Sequence, residues 1–377
     1  MAKENLILTA SSEATTQSSD DAGSSSRNGV RRRSFLKGMG IAGAALSAAP
    51  LLAAASKTAQ QSGVITSGDV AILRFLAAAE LLEADLWQQY AELGGLSSGA
   101  QNPYQLALQQ LDGDASQYIQ SNSNDEASHA AFLNAYLESI GAEPVDLDAF
   151  RTLPSSQASG ALQIGRLTNI MNLTVDTSWY TRYRSAQNPD FGVTFPQAID
   201  LVNLPGIPRT NDDIGPKKHI QAIANTAAFH FGMIEQGGST LYSAMVQKAS
   251  NLEVLRIVVS IGGDEVAHFL EWVDFAGNGV QPPIAPFTDP TNGLTFPNFN
   301  ATGNPELQTN LIFPVACEFI NAKLPLCAVI RPTNPKGIAM GVVNFLNQTG
   351  HFIGQSPAFF KALTTLAKQA DAAQRSV

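Results

Sequence analysis

Two short motifs in the 377-residue chain set an imidazole three positions after a carboxylate: Asp125-Glu126-Ala127-Ser128-His129 and Asp264-Glu265-Val266-Ala267-His268. A helix turns about 100° per residue, so positions i and i+3 share a face. Glu126 therefore projects with His129, and Glu265 with His268. Their stripes also carry Leu133 and Tyr136, or Ile261 and Trp272, side chains that belong in a core. Two lone glutamates stand in matching company. Glu80 lies among Leu76, Ala77 and Trp87, and Glu235 among Ala228, Phe231 and Tyr242, each with an aromatic seven residues on. Each half of the chain thus reads Glu, then Asp-Glu-x-x-His, an internal repeat. Carboxylate and imidazole on an apolar stripe are costly to bury unpaired. Four converging carboxylates repel, and two divalent cations would remove that repulsion. Oxygen and nitrogen donors suit iron first and manganese second. The alternative is ordinary i,i+3 surface pairs, against which the apolar flanks argue.

Four long helices have to carry these residues. Their expected spans are Ser67–Leu93, capped by Ser67 and stopped by Gly94-Gly95; Ala115–Ile140, stopped by Gly141; Ile220–Ala249; and Leu252–Phe275, stopped near Gly277. An insert, 143–216, is rich in Pro, Gly and Asn and holds one expected helix near Ala161–Arg184. A tail, 278–377, has short apolar runs and a final helix near Pro357–Arg375. Two helical hairpins joined by a long connection make an all-α four-helix bundle with a crossover, which the insert and tail wrap. The basic residues of the four segments, Arg74, Lys248 and Arg256, fall away from the ligand positions by helical spacing.

The order Glu, Glu-x-x-His, Glu, Glu-x-x-His resembles the ferritin-like di-metal carboxylate superfamily. Within it, Ala79-Glu80-Leu81-Leu82-Glu83-Ala84-Asp85-Leu86-Trp87, Asp125–His129 and Gly141-Ala142-Glu143-Pro144 resemble exported, desiccation-related ferritin-like proteins. The likeness covers about 66–143 and 218–276, under half the chain. It implies Glu80, Glu126, His129, Glu235, Glu265 and His268 as ligands of two metal ions, with Glu126 and Glu265 bridging. It also implies that Asp125 and Asp264 each hold the histidine of the other motif. Glu83, one turn after Glu80, is an additional ligand or a hydrogen-bond partner. His230 reads as a packed or surface residue. His219 and His351 are placed outside the bundle, without a spaced carboxylate. Trp87, Tyr242 and Trp272 read as core aromatics.

With 44% hydrophobic and 15% charged residues, most of the chain should fold. A net charge of −9 argues against nucleic acid as a partner. Two cysteines exclude a Cys-rich metal cluster; Cys317 and Cys327 read as a disulfide or as two free thiols. Residues 1–30 lack a hydrophobic period and read as disordered. Arg31-Arg32-Arg33-Ser34-Phe35-Leu36-Lys37, then an uncharged stretch from Gly38 to Ala55, make a signal peptide over 1–55. Its paired arginines resemble the twin-arginine export signal, which implies a periplasmic or extracellular location. The bundle then occupies 56–277 and the extension 278–377. No other segment is long and apolar enough to span a membrane.

Two classes of function remain. One is oxidase or peroxide-consuming chemistry at the metal pair, with dioxygen or peroxide as the small substrate. The other is a non-enzymatic desiccation or stress protein in which the metals are structural. An iron-storage cage is disfavoured, because an insert of about seventy residues and a tail of about a hundred need room that a close-packed shell does not offer. No phosphate loop, nucleotide fingerprint or nucleophile elbow is visible.

Overall fold

A computed structural model describes residues 63–96, 102–182, 196–307, 314–317, 320–328 and 335–376. The signal segment and the disordered start expected from the sequence lie outside these residues. Eight helices are described. The first, α1 (Ser67–Gly94), starts at a capping box. Thr66 Oγ1 accepts from Asp69 N, and Asp69 Oδ2 accepts from Thr66 N, which satisfies backbone donors the helix leaves open. The cap is thus Thr66, one residue before the expected Ser67. After α2 (Pro103–Leu111) comes α3 (Ala115–Ser139), which ends before Gly141 at φ +74°. A single turn, α4 (Trp179–Arg182), precedes α5 (Lys217–Val246) and α6 (Leu252–Asn278). Asn251 caps α6 through bonds from Glu253 N and Val254 N. The tail adds α7 (Ile338–Gln348) and α8 (Pro357–Ala372), the latter opened by Ser356 and a first-turn proline.

The four long helices appear where the sequence places them, within a few residues at each end. They pack as two hairpins, α1 on α3 and α5 on α6, and the hairpins meet through side chains. Trp87 of α1 stacks on Phe231 of α5 and Trp272 of α6. α8 packs along α1, and α2 along α5. Lys248 caps α8, its Nζ donating to the carbonyls of Ala370, Asp371 and Ala373. The apolar core forms two clusters. One runs from Leu86 to Trp272 and Phe275, the other from Ile72 to Ile261 and α8.

The insert departs from expectation. Over the described part of the expected helix, 161–182, only the turn α4 is helical. Strand β1 (Leu173–Val175) instead pairs antiparallel with β2 (Leu201–Leu204). The cause is tertiary. Asp85 of α1 accepts from the backbone N–H of Leu167 and Thr168, and Asn169 N donates to His351 O. These remote partners replace the bonds a helix would have made for itself. Short antiparallel pairs, β3 (Phe287–Thr288) with β4 (Thr295–Phe296) and β5 (Pro314–Val315) with β6 (Cys327–Ala328), occur in the tail. Cys317, buried, and Cys327, exposed, are free thiols. Among the described residues no helix is long and apolar enough to cross a membrane.

Candidate metal centre

Glu80, Glu126, Glu235 and Glu265 are each at most 1% exposed, and His129 and His268 are 8% and 7% exposed. All six come together at the seam between the two apolar clusters. The side chains form two groups that share one member. Glu80, Glu126, Glu265 and His129 are close enough to hold one ion, and Glu126, Glu235 and His268 a second. Glu126 spans the groups: its Oε2 is 3.3 Å from His129 Nδ1 and its Oε1 is 3.2 Å from His268 Nδ1. His129 Nδ1 also lies 3.4 Å from Glu80 Oε2 and 3.8 Å from Glu265 Oε1. His268 Nδ1 lies 3.3 Å from Glu235 Oε2. Glu126 alone of the six belongs to both groups and would be the residue to share between two ions, while Glu265 sits with the first group.

The outer nitrogens cross over. His129 Nε2 is 3.2 Å from Asp264 Oδ2, and His268 Nε2 is 3.5 Å from Asp125 Oδ2. Each histidine is therefore held by the aspartate of the other motif, as the resemblance implies. A carboxylate on Nε2 fixes the proton there and leaves Nδ1 as a lone-pair donor aimed at the carboxylates. The aspartate side chains are 40% and 46% exposed, so the site approaches solvent on this side.

Do these residues fit metal ions? Both oxygens of Glu265 and Oε2 of Glu80 and of Glu235 are buried without a hydrogen-bond donor. Buried acceptors of this kind are costly unless a cation or proton meets them. Two carboxyls of the cluster hold protons more tightly than usual. Burial, then the charge of Glu235, pushes Glu126 up to about 8. Burial followed by Glu126 pushes Glu265 well above the usual carboxylate range. Burial opposes a charge on His129, but the carboxylates of Glu126 and Glu80 outweigh it and lift the ring to about 10. His268 is likewise raised against burial, first by Glu235 and then by Asp125 and Glu126. The donor set fits two hard or borderline divalent ions.

Three contributors escaped the sequence reading. Asn122, one turn before Glu126, donates from Nδ2 to Glu126 Oε1 at 2.9 Å and to Glu235 Oε1 at 3.1 Å. Tyr242 donates its hydroxyl to Glu80 Oε1. Gly238 lies against Glu265: a Cβ there would overlap Glu265 Oε2. A Gly-Gly pair inside a long helix, two and three residues after Glu235, is the signal that could have revealed it. Glu83 belongs to neither metal-sized group. Its carboxyl is raised well above the usual range, by burial and then by Glu126 and Glu80. Glu83 and His351 are the titratable residues lining an otherwise mostly apolar cavity of about 30 Å³ that also touches Gly237 and Gly238. That volume suits one or two water-sized molecules.

Two of the other three histidines, His219 and His351, differ from expectation. His219 opens α5 and has carboxylate partners, Asp289 at 2.8 Å and Asp213 at 3.3 Å. The bond to Asp289 clamps the β3–β4 turn to the bundle. His351 is buried against the bundle, its Nε2 2.7 Å from His230 Nε2. His230 is packed, as expected, with no exposed surface.

Four helices each aim a carboxylate inward and two of them add a histidine, which makes a buried cluster able to hold metal. Residues 68–272 match the family model described as a ferritin-like domain, and the chain belongs to that family. No curated protein and no solved structure matches the chain.

Proposed function

We propose that the chain is an exported di-metal protein, with iron as the first choice and manganese as the second, that consumes dioxygen or peroxide in stress protection. The carrying observation is the set of four buried carboxylates, three of them (Glu80, Glu235 and Glu265) with unpaired oxygens, closed by two cross-held histidines. A metal pair would supply two ions able to change oxidation state together. The chain's own residues do the rest. Glu126 offers one oxygen to each side, and Glu80, Glu235 and Glu265 complete the donors. Asp125 and Asp264 hold the Nε2 protons and keep Nδ1 free to bind. Gly238 leaves Glu265 the space it occupies. The apolar cavity beside Gly238 admits a small uncharged molecule, and Glu83 places an acidic proton on its wall. Residues 1–55 serve as the twin-arginine address, and the desiccation-related family supplies the stress context.

The test is metal analysis of protein purified after native export, followed by turnover assays with iron(II), dioxygen and hydrogen peroxide. Two ions per chain with turnover are expected. Two ions without turnover would leave the structural, non-enzymatic role, and absence of bound metal would sink both.

A further inference from the structure

We propose that Tyr90 is an oxidisable tyrosine that gives its electron to the stacked pair Trp87–Trp272 and its proton to His230. The source of oxidant in the cell rests on the di-metal reading above; the residue chemistry does not.

The proton path is a closed chain of buried groups. Tyr90, His230, His351 and Thr349 are all 0% exposed. Tyr90 Oη is 2.7 Å from His230 Nδ1, and His230 Nε2 is 2.7 Å from His351 Nε2. His351 Nδ1 is 3.0 Å from Thr349 Oγ1, whose hydroxyl donates to Phe345 O at 2.7 Å. Proton placement follows from this network. The Thr349 proton is committed to a carbonyl, so His351 Nδ1–H donates to Thr349 Oγ1. His351 Nε2 then accepts from His230 Nε2–H, and His230 Nδ1 accepts from the Tyr90 hydroxyl. Burial lowers His351 to about 4 and, with His351 beside it, lowers His230 as well, so both rings are neutral. Burial raises Tyr90, which therefore keeps its proton until an electron leaves.

The electron path runs the other way. The Tyr90 ring is 5.8 Å from Trp87, which stacks on Trp272 at 5.2 Å with 25° between planes. Trp272 Nε1 donates to Asn122 Oδ1 at 2.8 Å, and Asn122 in turn donates to Glu126 and Glu235. Rings in contact pass an electron vacancy readily. It comes to rest where the ring can shed a proton to a base. Trp87 Nε1 has no hydrogen-bond partner, Trp272 faces an amide oxygen, and Tyr104 donates to the Gly206 carbonyl. Tyr242 does face a carboxylate, but that carboxylate, Glu80, belongs to the metal centre. Tyr90 faces a free, neutral imidazole. In the step, an external one-electron oxidant first removes an electron from the Trp87–Trp272 pair; one electron then leaves the phenol to refill that vacancy, the O–H bond breaks, and an N–H bond forms at His230 Nδ1. His230 can then pass its Nε2 proton to His351. A neutral phenoxyl remains, and one returning electron reverses every transfer. The result is one oxidising equivalent stored away from the metals.

The test uses the full mature chain with and without metal. Metal-free protein is photo-oxidised with tris(bipyridine)ruthenium(II) and persulfate, and metal-loaded protein is treated with hydrogen peroxide. Both are frozen and read by electron paramagnetic resonance, with ring-deuterated tyrosine to identify the radical. The expected long-lived tyrosyl signal is lost in Tyr90→Phe and kept in Tyr104→Phe, whose hydroxyl meets only the Gly206 carbonyl. In His230→Gln, which lacks the base, it decays roughly tenfold faster or more. A signal unchanged by Tyr90→Phe overturns the proposal, as does the lack of a tyrosyl signal in both samples. A Tyr90 signal in the metal-free sample alone upholds it and counts instead against the oxidising metal pair. If His230→Gln does not fold, nitrogen-15 spectra of wild-type histidines decide. A neutral His230 with its proton on Nε2 is expected, and a proton on Nδ1 would overturn the assignment.

Discussion

Glu126 stands between two histidines, and its protonation in the metal-free protein has a measurable consequence. Its folded pKa, about 8, exceeds the ordinary 4.5. The stabilisation from its bound proton is complete below pH 4.5 and disappears as pH rises through about 8. His129, raised from 6.5 to about 10, acts with the same sign over that higher window. His351 acts oppositely: lowered to about 4, it stabilises above pH 6.5 and loses that contribution as pH falls through 4. The carboxylate effect is thus read cleanly above pH 6.5. Thermal unfolding of metal-free protein should show a melting temperature that falls steadily from there to about pH 10. Metal-loaded protein should gain over the same range, because protons compete with metal for the same atoms. Glu126→Ala and Glu265→Ala should abolish tight metal binding without lowering the metal-free melting temperature much, since each removes a buried carboxyl that repels its neighbours. Gly238→Ala separates folding from binding. Alanine favours the helix by about 1 kcal/mol, yet its Cβ displaces Glu265. Competition titration should show metal affinity weakened by about 10–100-fold in a folded protein, as for changes that disturb a ligand's support.

At the scale of elements, one side chain of α1 holds the insert. Asp85 Oδ2 accepts from Leu167 N, Thr168 N and Thr168 Oγ1, and Oδ1 takes an ion pair from Arg151 at 2.7 Å. Asp85→Ala strands these donors. Urea unfolding should register a loss of about 3–5 kcal/mol, and limited proteolysis should open first within the insert. The same arrangement explains what the sequence could reveal. A carboxylate on an apolar stripe betrays itself locally, so the four long helices and the six convergent side chains were legible from spacing alone. The path of 161–178 was not, because its backbone partners belong to α1 and to the loop after α7 rather than to its own neighbours. The short helices α2 and α7 carry too few turns to stand out from their polar surroundings. Asn122 and Tyr242 acquire their roles only once α3 meets α5 and α5 meets α1. His219 had carboxylate partners all along, but 6 and 70 residues away in sequence.

For the whole molecule, the carboxylates at the seam between two apolar clusters make metal content a property of the fold as much as of the chemistry. Loaded protein should melt above metal-free protein near neutral pH, and equal melting temperatures would count against a buried dinuclear centre. On the proposed twin-arginine reading of residues 1–55, folding precedes export. Arg32→Lys combined with Arg33→Lys should leave the precursor in the cytoplasm; fractionation showing unchanged export would assign another route. The crossed aspartates carry a further meaning. His129 is steered by Asp264 and His268 by Asp125, so neither half-repeat owns a finished ligand set. A hairpin cut from this chain could rebuild the arrangement only by clasping a second hairpin, its own copy or the other half. The two repeats are therefore hostages to one another: a substitution in either aspartate is felt first at the histidine contributed by the opposite repeat.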